Sequence, residues 1–232
     1  SQCEKSGVHT KFIPDYGNII PTRPYTEDLL GLPVINIRYV PLSNTFNAMV
    51  KRLMDIVGSI ICIVIFSPVM LLSAILVKIT SSGPLIFKQE RVGLHNEKFM
   101  MYKFRTMYVQ TEEEEKKGWT QKNDPRVTKV GGFLRKTSLD EFPQFFNVLL
   151  GDMSLVGTRP PTVDEYEKYK LHHKARLSAK PGITGLWQVS GRSDITEFED
   201  VVKLDTAYIK DWSIGKDLPI LAKTVQVVLM GK

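Results

Sequence analysis

The 232-residue chain is 43% hydrophobic and 24% charged, the balance of a folded protein, which excludes a chain disordered throughout. A formal net charge of +6 calls for an anionic partner, and charge by itself leaves nucleic acid, acidic lipid headgroups and a phosphorylated substrate open. Two cysteines, Cys3 and Cys62, exclude a disulfide framework and a thiolate metal site and fit a reducing compartment.

In chain order, residues 1–48 are rich in proline and turn residues, with one short apolar stretch, Leu32 to Val40, that suits a strand. The chain begins with Ser, shows no signal-peptide pattern and reads as part of something longer. From Ile56 to Val77 it runs 22 residues without a charge, enough helix to cross a bilayer. Ser67-Pro68 falls in its middle, where proline removes a backbone donor and predicts a kink. Basic residues flank it on both sides, Lys51 and Arg52 before and Lys78, Lys88 and Arg91 after. The positive-inside bias places such charge on the cytoplasmic side, so a hairpin entering and leaving one leaflet and an ordinary kinked span both remain open. Pro84 to Gln89 and Phe99 to Met107 then read as strands around a turn at Gly93 to Glu97. Thr111 to Lys117, with four consecutive glutamates, reads as a solvated helix face or loop. Helices are predicted at Leu139 to Leu150, Val163 to Leu177, Phe198 to Lys210 and Leu218 to Met230. The last one, with Tyr208 and Trp212 just upstream, suits either a membrane interface or the domain core. No nucleic-acid module is recognisable.

Candidate chemistry concentrates between Asp124 and Pro161. Ser138-Leu-Asp-Glu141 fits a capping box, with Ser138 as N-cap and Glu141 reaching back, although Pro143 interrupts the helix it would open. A helix N-terminus also favours phosphate, and a carboxylate there can serve as a nucleophile. Arg159, in Gly157-Thr-Arg-Pro-Pro161, sits on a stiff turn as a phosphate clamp or as the partner of a neighbouring acid. Lys103 and Arg105 alternate with apolar residues and share one face if the strand runs through both. The loop from Lys180 to Arg192 offers Thr184, Trp187 and Gln188 to a base or sugar, or simply connects two elements. His172 and His173 are adjacent rather than spaced for a metal, which predicts a solvated helix face.

Taken in order, Lys51-Arg-Leu-Met-Asp55, Ser67-Pro68, Tyr102-Lys-Phe-Arg-Thr-Met107, Asp124-Pro-Arg126, Ser138-Leu-Asp-Glu141, Asn147 to Gly157 and Pro181-Gly-Ile-Thr-Gly185 resemble the monotopic phosphoglycosyl transferases, bacterial sugar transferases that start capsule, O-antigen and exopolysaccharide assembly. The resemblance runs from about Lys51 to the C-terminus. It implies a re-entrant helix-turn-helix broken at Ser67-Pro68 and seated, with Lys51, Arg52 and Asp55, in the cytoplasmic leaflet of the bacterial inner membrane. It also implies Asp140 as nucleophile and Glu141 as a Mg2+ ligand, with Lys103, Arg135 and Arg159 as charge partners for phosphate or for the helix break. Pro160, Thr184 and Gln188 are the expected nucleotide-sugar contacts. The implied partners are a UDP-sugar, polyprenyl phosphate and membrane lipids, with no nucleic acid and with homo-oligomers left open. Thr158 stands where many relatives have proline, and the Gly-Thr-Arg-Pro-Pro form resembles the long-chain branch acting on UDP-glucose or UDP-galactose. The expected fold is α+β: a mainly helical cytoplasmic catalytic domain (81–232) with a short β-hairpin and interfacial amphipathic helices, behind a membrane hairpin (49–80) and the end of an upstream domain (1–48).

Overall fold

A computed structural model describes residues 25–29, 32–36, 40–109, 124–191, 195 and 197–230. The glutamate run lies outside them. Two compact units divide the chain, Ser1–Val40 and Pro41–Lys232. In the first, β1 (Tyr25–Leu29) pairs antiparallel with β2 (Leu32–Asn36), Leu29 opposite Leu32, so the predicted strand at Leu32 is present, and residues 37–39 of it lie outside the described residues.

The second unit, mixed helix and strand, opens with a 3-10 turn, Pro41–Ser43, followed by α1 (Thr45–Thr80), which is long and apolar enough to cross a membrane by length and composition. Asn44 caps it, its side chain accepting from the backbone of Phe46 at 3.0 Å and Asn47 at 3.3 Å, which supplies partners for N–H groups that a helix start leaves orphaned. Helical structure continues through Ser67-Pro68, so helical backbone rather than a separate turn joins the two halves. Pro68 has no N–H for the carbonyl of Val64, and the Ser67 hydroxyl donates to that carbonyl at 2.8 Å, offsetting the lost bond.

Both ends of α1 are bonded into this same unit. Near its start, the buried Lys51 pairs with Asp217 at 2.6 Å. Arg52 donates to the carbonyls of Val148 and Leu149, and Asp55 accepts from the Ser154 hydroxyl and the Leu155 amide. At its other end, Arg105 donates to Ser81 at 2.8 Å and to the Ser82 carbonyl, closing carbonyls that a helix C-terminus leaves open. The basic flank is therefore not a free positive collar: Lys51 and Arg91 are buried, and both spend their charge inside the protein. Between these anchors a broad apolar face of α1 is exposed, from Phe46 and Leu53 through Ile65 to Leu72 and Ile79.

The predicted hairpin is present as β3 (Ile86–Val92) and β4 (Lys98–Phe104), antiparallel with Ile86 opposite Phe104. Strand β4 stops at Phe104, so Lys103 and Arg105 do not share a strand face; Arg105 turns to the end of α1 instead. Phe104, Val77 and Leu134 form a buried cluster joined by Met70, Leu85 and Leu139. Leu134 comes from α2 (Lys129–Lys136), a helix too short and polar for its period to be read. Thr128 caps it, and a Cβ on Gly131 would sit 1.9 Å from the Thr106 carbonyl, so only glycine allows this approach.

The predicted helix at Leu139–Leu150 is replaced by a single 3-10 turn, Leu139–Glu141, followed by α3 (Gln144–Leu150). Beyond it, β5 (Ser154–Val156) pairs in parallel with β6 (Gly182–Thr184). The predicted helix Val163–Leu177 is two pieces, α4 (Val163–Glu167) and a 3-10 helix, Leu171–Ser178. A short α5 (Leu186–Val189) leads to α6 (Phe198–Lys210), as predicted, and to α7 (Ile214–Met230), which starts before its predicted residue. Tyr208 and Trp212 are buried and both donate to Asp217, which excludes them from an aromatic membrane belt; Leu218 and Val225 of α7 stay exposed.

Candidate active site

The 3-10 turn at Leu139–Glu141 exists because Pro143 lacks the N–H that an α-helix beginning at Leu139 would use. The expected capping box is absent: Ser138 lies in the left-handed region (φ 56°) with no side-chain cap bond, and the turn closes from Glu141 N–H to the Ser138 carbonyl, 3.2 Å. Asp140 is thereby 9% exposed, whereas Glu141 reaches outward and accepts from Lys103 Nζ at 2.7 Å. Burial, then repulsion by Glu141, pushes the Asp140 carboxyl from its ordinary 3.8 to about 6, against the opposing pull of Lys103 and Arg135. Arg135, in the last turn of α2, is oriented by the bond from its Nε to the Thr106 hydroxyl, 2.8 Å. Two acids and two cations from three stretches of chain thus converge on one turn, an arrangement typical of sites that tune ionisation.

Aromatic packing seats this turn on α1. Phe142 and Phe145 pack on Phe66, with ring centroids 4.8 and 6.4 Å away, two residues before Pro68. The acid pair therefore lies next to the middle of the exposed apolar helix.

Arg159 stands on the turn after β5. Behind it, the buried Arg91 donates to the Pro160 carbonyl at 3.0 Å and to Gln89, and lies 3.7 Å from Glu165. Burial and the charge of Arg159 lower the pKa of Arg91, while Glu165 and, less strongly, Glu141 raise it. Thr158, fully buried, donates to the Arg176 carbonyl at 3.0 Å, so its hydroxyl ties the turn down. Pro160 contributes its carbonyl to Arg91.

Other expected contacts point elsewhere. Thr184 is buried with its hydroxyl 2.7 Å from that of Thr224 on α7. Gln188 donates to Ile183 across 3.4 Å. Lys51, Arg52 and Asp55 fasten α1 to α3, β5 and α7 rather than facing the acid pair. Sequence reasoning missed Arg91, Thr106 and Asp217, whose partners are distant in the chain.

For a hard divalent cation such as Mg2+, the donor set fits: neighbouring carboxylates on one turn, of the kind that hold such an ion together with substrate phosphate. His172 and His173 do approach Glu199, all three ligand atoms lying within 4.8 Å, and His173 is buried rather than solvated. Yet Nδ1 of His173 accepts the Lys170 amide at 3.1 Å and Nε2 faces Glu199 at 2.9 Å. That fixes the proton on Nε2, the atom a metal would need, and the group reads as a clasp between the 3-10 helix and α6.

A family model described as bacterial sugar transferase matches residues 46–231. Among curated proteins, the galactosyl transferase CpsE of Streptococcus agalactiae serotype III (strain NEM316) is 52% identical over 191 residues, 78% of this chain and 42% of the relative. The UDP-glucose:undecaprenyl-phosphate glucose-1-phosphate transferase of Klebsiella pneumoniae is 43% identical over 234 residues, 97% of this chain and 50% of that protein. The exopolysaccharide production protein ExoY of Rhizobium meliloti (strain 1021) is 39% identical, over 79% of this chain and 87% of its own length. The chain spans about half the length of the first two relatives.

Proposed function

Since the chain belongs to the bacterial sugar transferase family, we propose that it moves a hexose 1-phosphate, glucose or galactose favoured, from a UDP-sugar to polyprenyl (undecaprenyl) phosphate, releasing UMP and initiating capsule, exopolysaccharide or O-antigen synthesis. The observation carrying this reading is the buried Asp140, flanked by Glu141, Lys103 and Arg135 and packed through Phe142 against the middle of α1. The names of the Klebsiella and Streptococcus relatives agree with a glucose-phosphate or galactosyl donor.

In the proposed sequence an Asp140 carboxylate oxygen attacks the sugar-bearing phosphorus, the bond from that phosphorus to the oxygen bridging to UMP breaks, and the electron pair leaves on UMP. An oxygen of the lipid phosphate then attacks the same phosphorus and returns Asp140 as a carboxylate. Both steps are displacements at phosphorus, so positioning and charge stabilisation do most of the work. Lys103, Arg135 and Arg159 supply cations for the phosphate oxygens. Mg2+, held by Glu141 with Asp140 beside it, would offset the charge of the diphosphate.

The chain carries out this transfer as a monotopic protein at the cytoplasmic face of the bacterial inner membrane, with 49–80 as a re-entrant hairpin, 81–232 as the catalytic domain and 1–48 as the end of an upstream region. Three features support this seating: the polar anchors at both ends of α1 within one unit, the exposed apolar face between them, and the Ser67 hydroxyl on the Val64 carbonyl. The test is nucleotide release by detergent-solubilised protein given Mg2+, a panel of UDP-sugars and polyprenyl phosphate. Lipid-dependent UMP from one donor, lost in Asp140→Asn, is expected; release of UDP instead would mean glycosyl transfer and overturn the reading.

A further inference from the structure

A cavity of about 520 Å3 opens beside the arginine turn, within the range of roughly 300–1,000 Å3 typical of small-molecule sites. Arg159 and Lys168 border it, and Tyr169, Trp187 and Phe198 give it aromatic walls. These walls are braced. Tyr169 lies 5.4 Å from Phe198 between ring centroids, and the Arg176 guanidinium stands over both rings while paired to Asp205 at 2.6 Å.

Among the described residues the polar groups of the cavity are few, and one is an acid: Glu165 lines it, accepting from the Thr162 amide at 2.8 Å with Arg91 3.7 Å away. Trp187 is 7% exposed, and its Nε1–H finds no acceptor among the described residues; a buried donor in that state is costly unless a ligand meets it. The Tyr169 hydroxyl accepts from Arg176 Nη1 at 2.7 Å, which leaves its own proton to give. Arg176 Nε and Nη2 are spent on Asp205, and both ring nitrogens of His173 are engaged. The cavity thus combines flat aromatic faces, two hydrogen-bond donors and a rim of two cations, Arg159 and Lys168, with one carboxylate, Glu165.

A hexose carries several hydroxyls, each needing a partner on burial, and this lining has too few to offer. A prenyl chain would leave the Trp187 donor unmet. A uracil ring matches: its faces suit the aromatic walls, its carbonyl oxygens accept from Trp187 and Tyr169, and its phosphates extend toward Arg159.

Resting on the donor reading above, we infer that this cavity holds the uridine end of the donor and that Trp187 and Tyr169 read the base through its carbonyls. Arg159, shared by the cavity and the turn held by Arg91, grips the diphosphate between base and acid pair. Cytosine presents an amino group where uracil presents a carbonyl, so the site discriminates against it.

Equilibrium binding of UMP and CMP to the detergent-solubilised chain, to Trp187→Phe and to Tyr169→Phe tests this: both variants keep an aromatic face and lose the donor, Trp187→Phe together with part of the indole and Tyr169→Phe together with the acceptor of Arg176 Nη1. The wild type is expected to prefer UMP over CMP by about tenfold or more, and each variant to lose about tenfold in UMP affinity, one hydrogen bond's worth, with the ratio moving toward one. Turnover should show a raised KM for the UDP-sugar with kcat little changed, the pattern of a contact made equally in ground and transition states. UMP binding unchanged in both variants would overturn the inference, as would loss of hexose 1-phosphate binding in their place. The transfer reading fails separately: UMP bound and lost in the variants, with no UMP released from any donor, leaves the cavity assignment standing and removes the reaction.

Discussion

A carboxylate withdrawn from water and set beside another carboxylate resists ionisation, and Asp140 is in that position, raised to about 6. Its folded value exceeds its unfolded value, so the fold's preference for the protonated form is complete below about pH 3.8 and is lost as pH rises through about 6. Above that, the charged Asp140 lowers stability by up to about 3 kcal/mol. Asp140→Asn is therefore expected to abolish transfer while raising the melting temperature at pH 7.5, with the difference vanishing at pH 4; equal melting temperatures at pH 7.5 would contradict it. The proposed first half-reaction would need the carboxylate, so single-turnover UMP release is expected to fall as pH drops below about 6. Lys103 was named as a charge partner only through the family resemblance, because it lies far from the acid pair in the chain and no local pattern joins them, whereas Arg135 stands a short way upstream of Asp140. Ser138 was misread because a capping box is a local pattern, and the break imposed by Pro143 outweighs it. Arg105 was misread because its partner depends on where β4 ends, which alternation does not state.

Elements that owe their form to local pattern were readable, and those held by distant bonds were not. The hairpin and α6 have alternation or helical period on their own account. The stretch from Val163 to Ser178 has helical period too, but Thr158 takes the Arg176 carbonyl and Asp205 its guanidinium, and the chain breaks after Glu167 to satisfy them. Asn147 shows such a bond at work between elements. Fully buried on α3, it accepts from the Tyr102 amide at 2.9 Å and donates to the Met100 carbonyl at 2.7 Å, standing in for a neighbouring strand along β4. Because β4 also carries Lys103, Asn147→Leu should unfasten helix from hairpin at a cost of about 2–4 kcal/mol. Reduced transfer with an unchanged melting temperature would refute that structural role.

At the scale of the molecule, the sequence announced an apolar run but not how it is held, because the anchors at its start join residues 96 to 166 positions apart. Lys51 bridges Asp217 at 2.6 Å and Asp55 at 3.4 Å, and Lys51→Met would leave two buried carboxylates facing one another, a loss of about 3–5 kcal/mol that adding Asp217→Asn should partly restore. This buried bridge fastens the start of α1 to the unit that Arg105 fastens to its end. A helix crossing the bilayer would have to place these two sets of polar bonds on opposite sides, through roughly 30 Å of hydrocarbon; one that enters and leaves the same face keeps both in the wet layer. In a background lacking both native cysteines, Ala48→Cys and Thr80→Cys lie on exposed positions near the two ends. The re-entrant arrangement predicts that a membrane-impermeant maleimide labels neither in intact spheroplasts and both in inverted vesicles. Labelling of one position from each side would mean a span, and would part Asp140 from the flank that holds its helix in place.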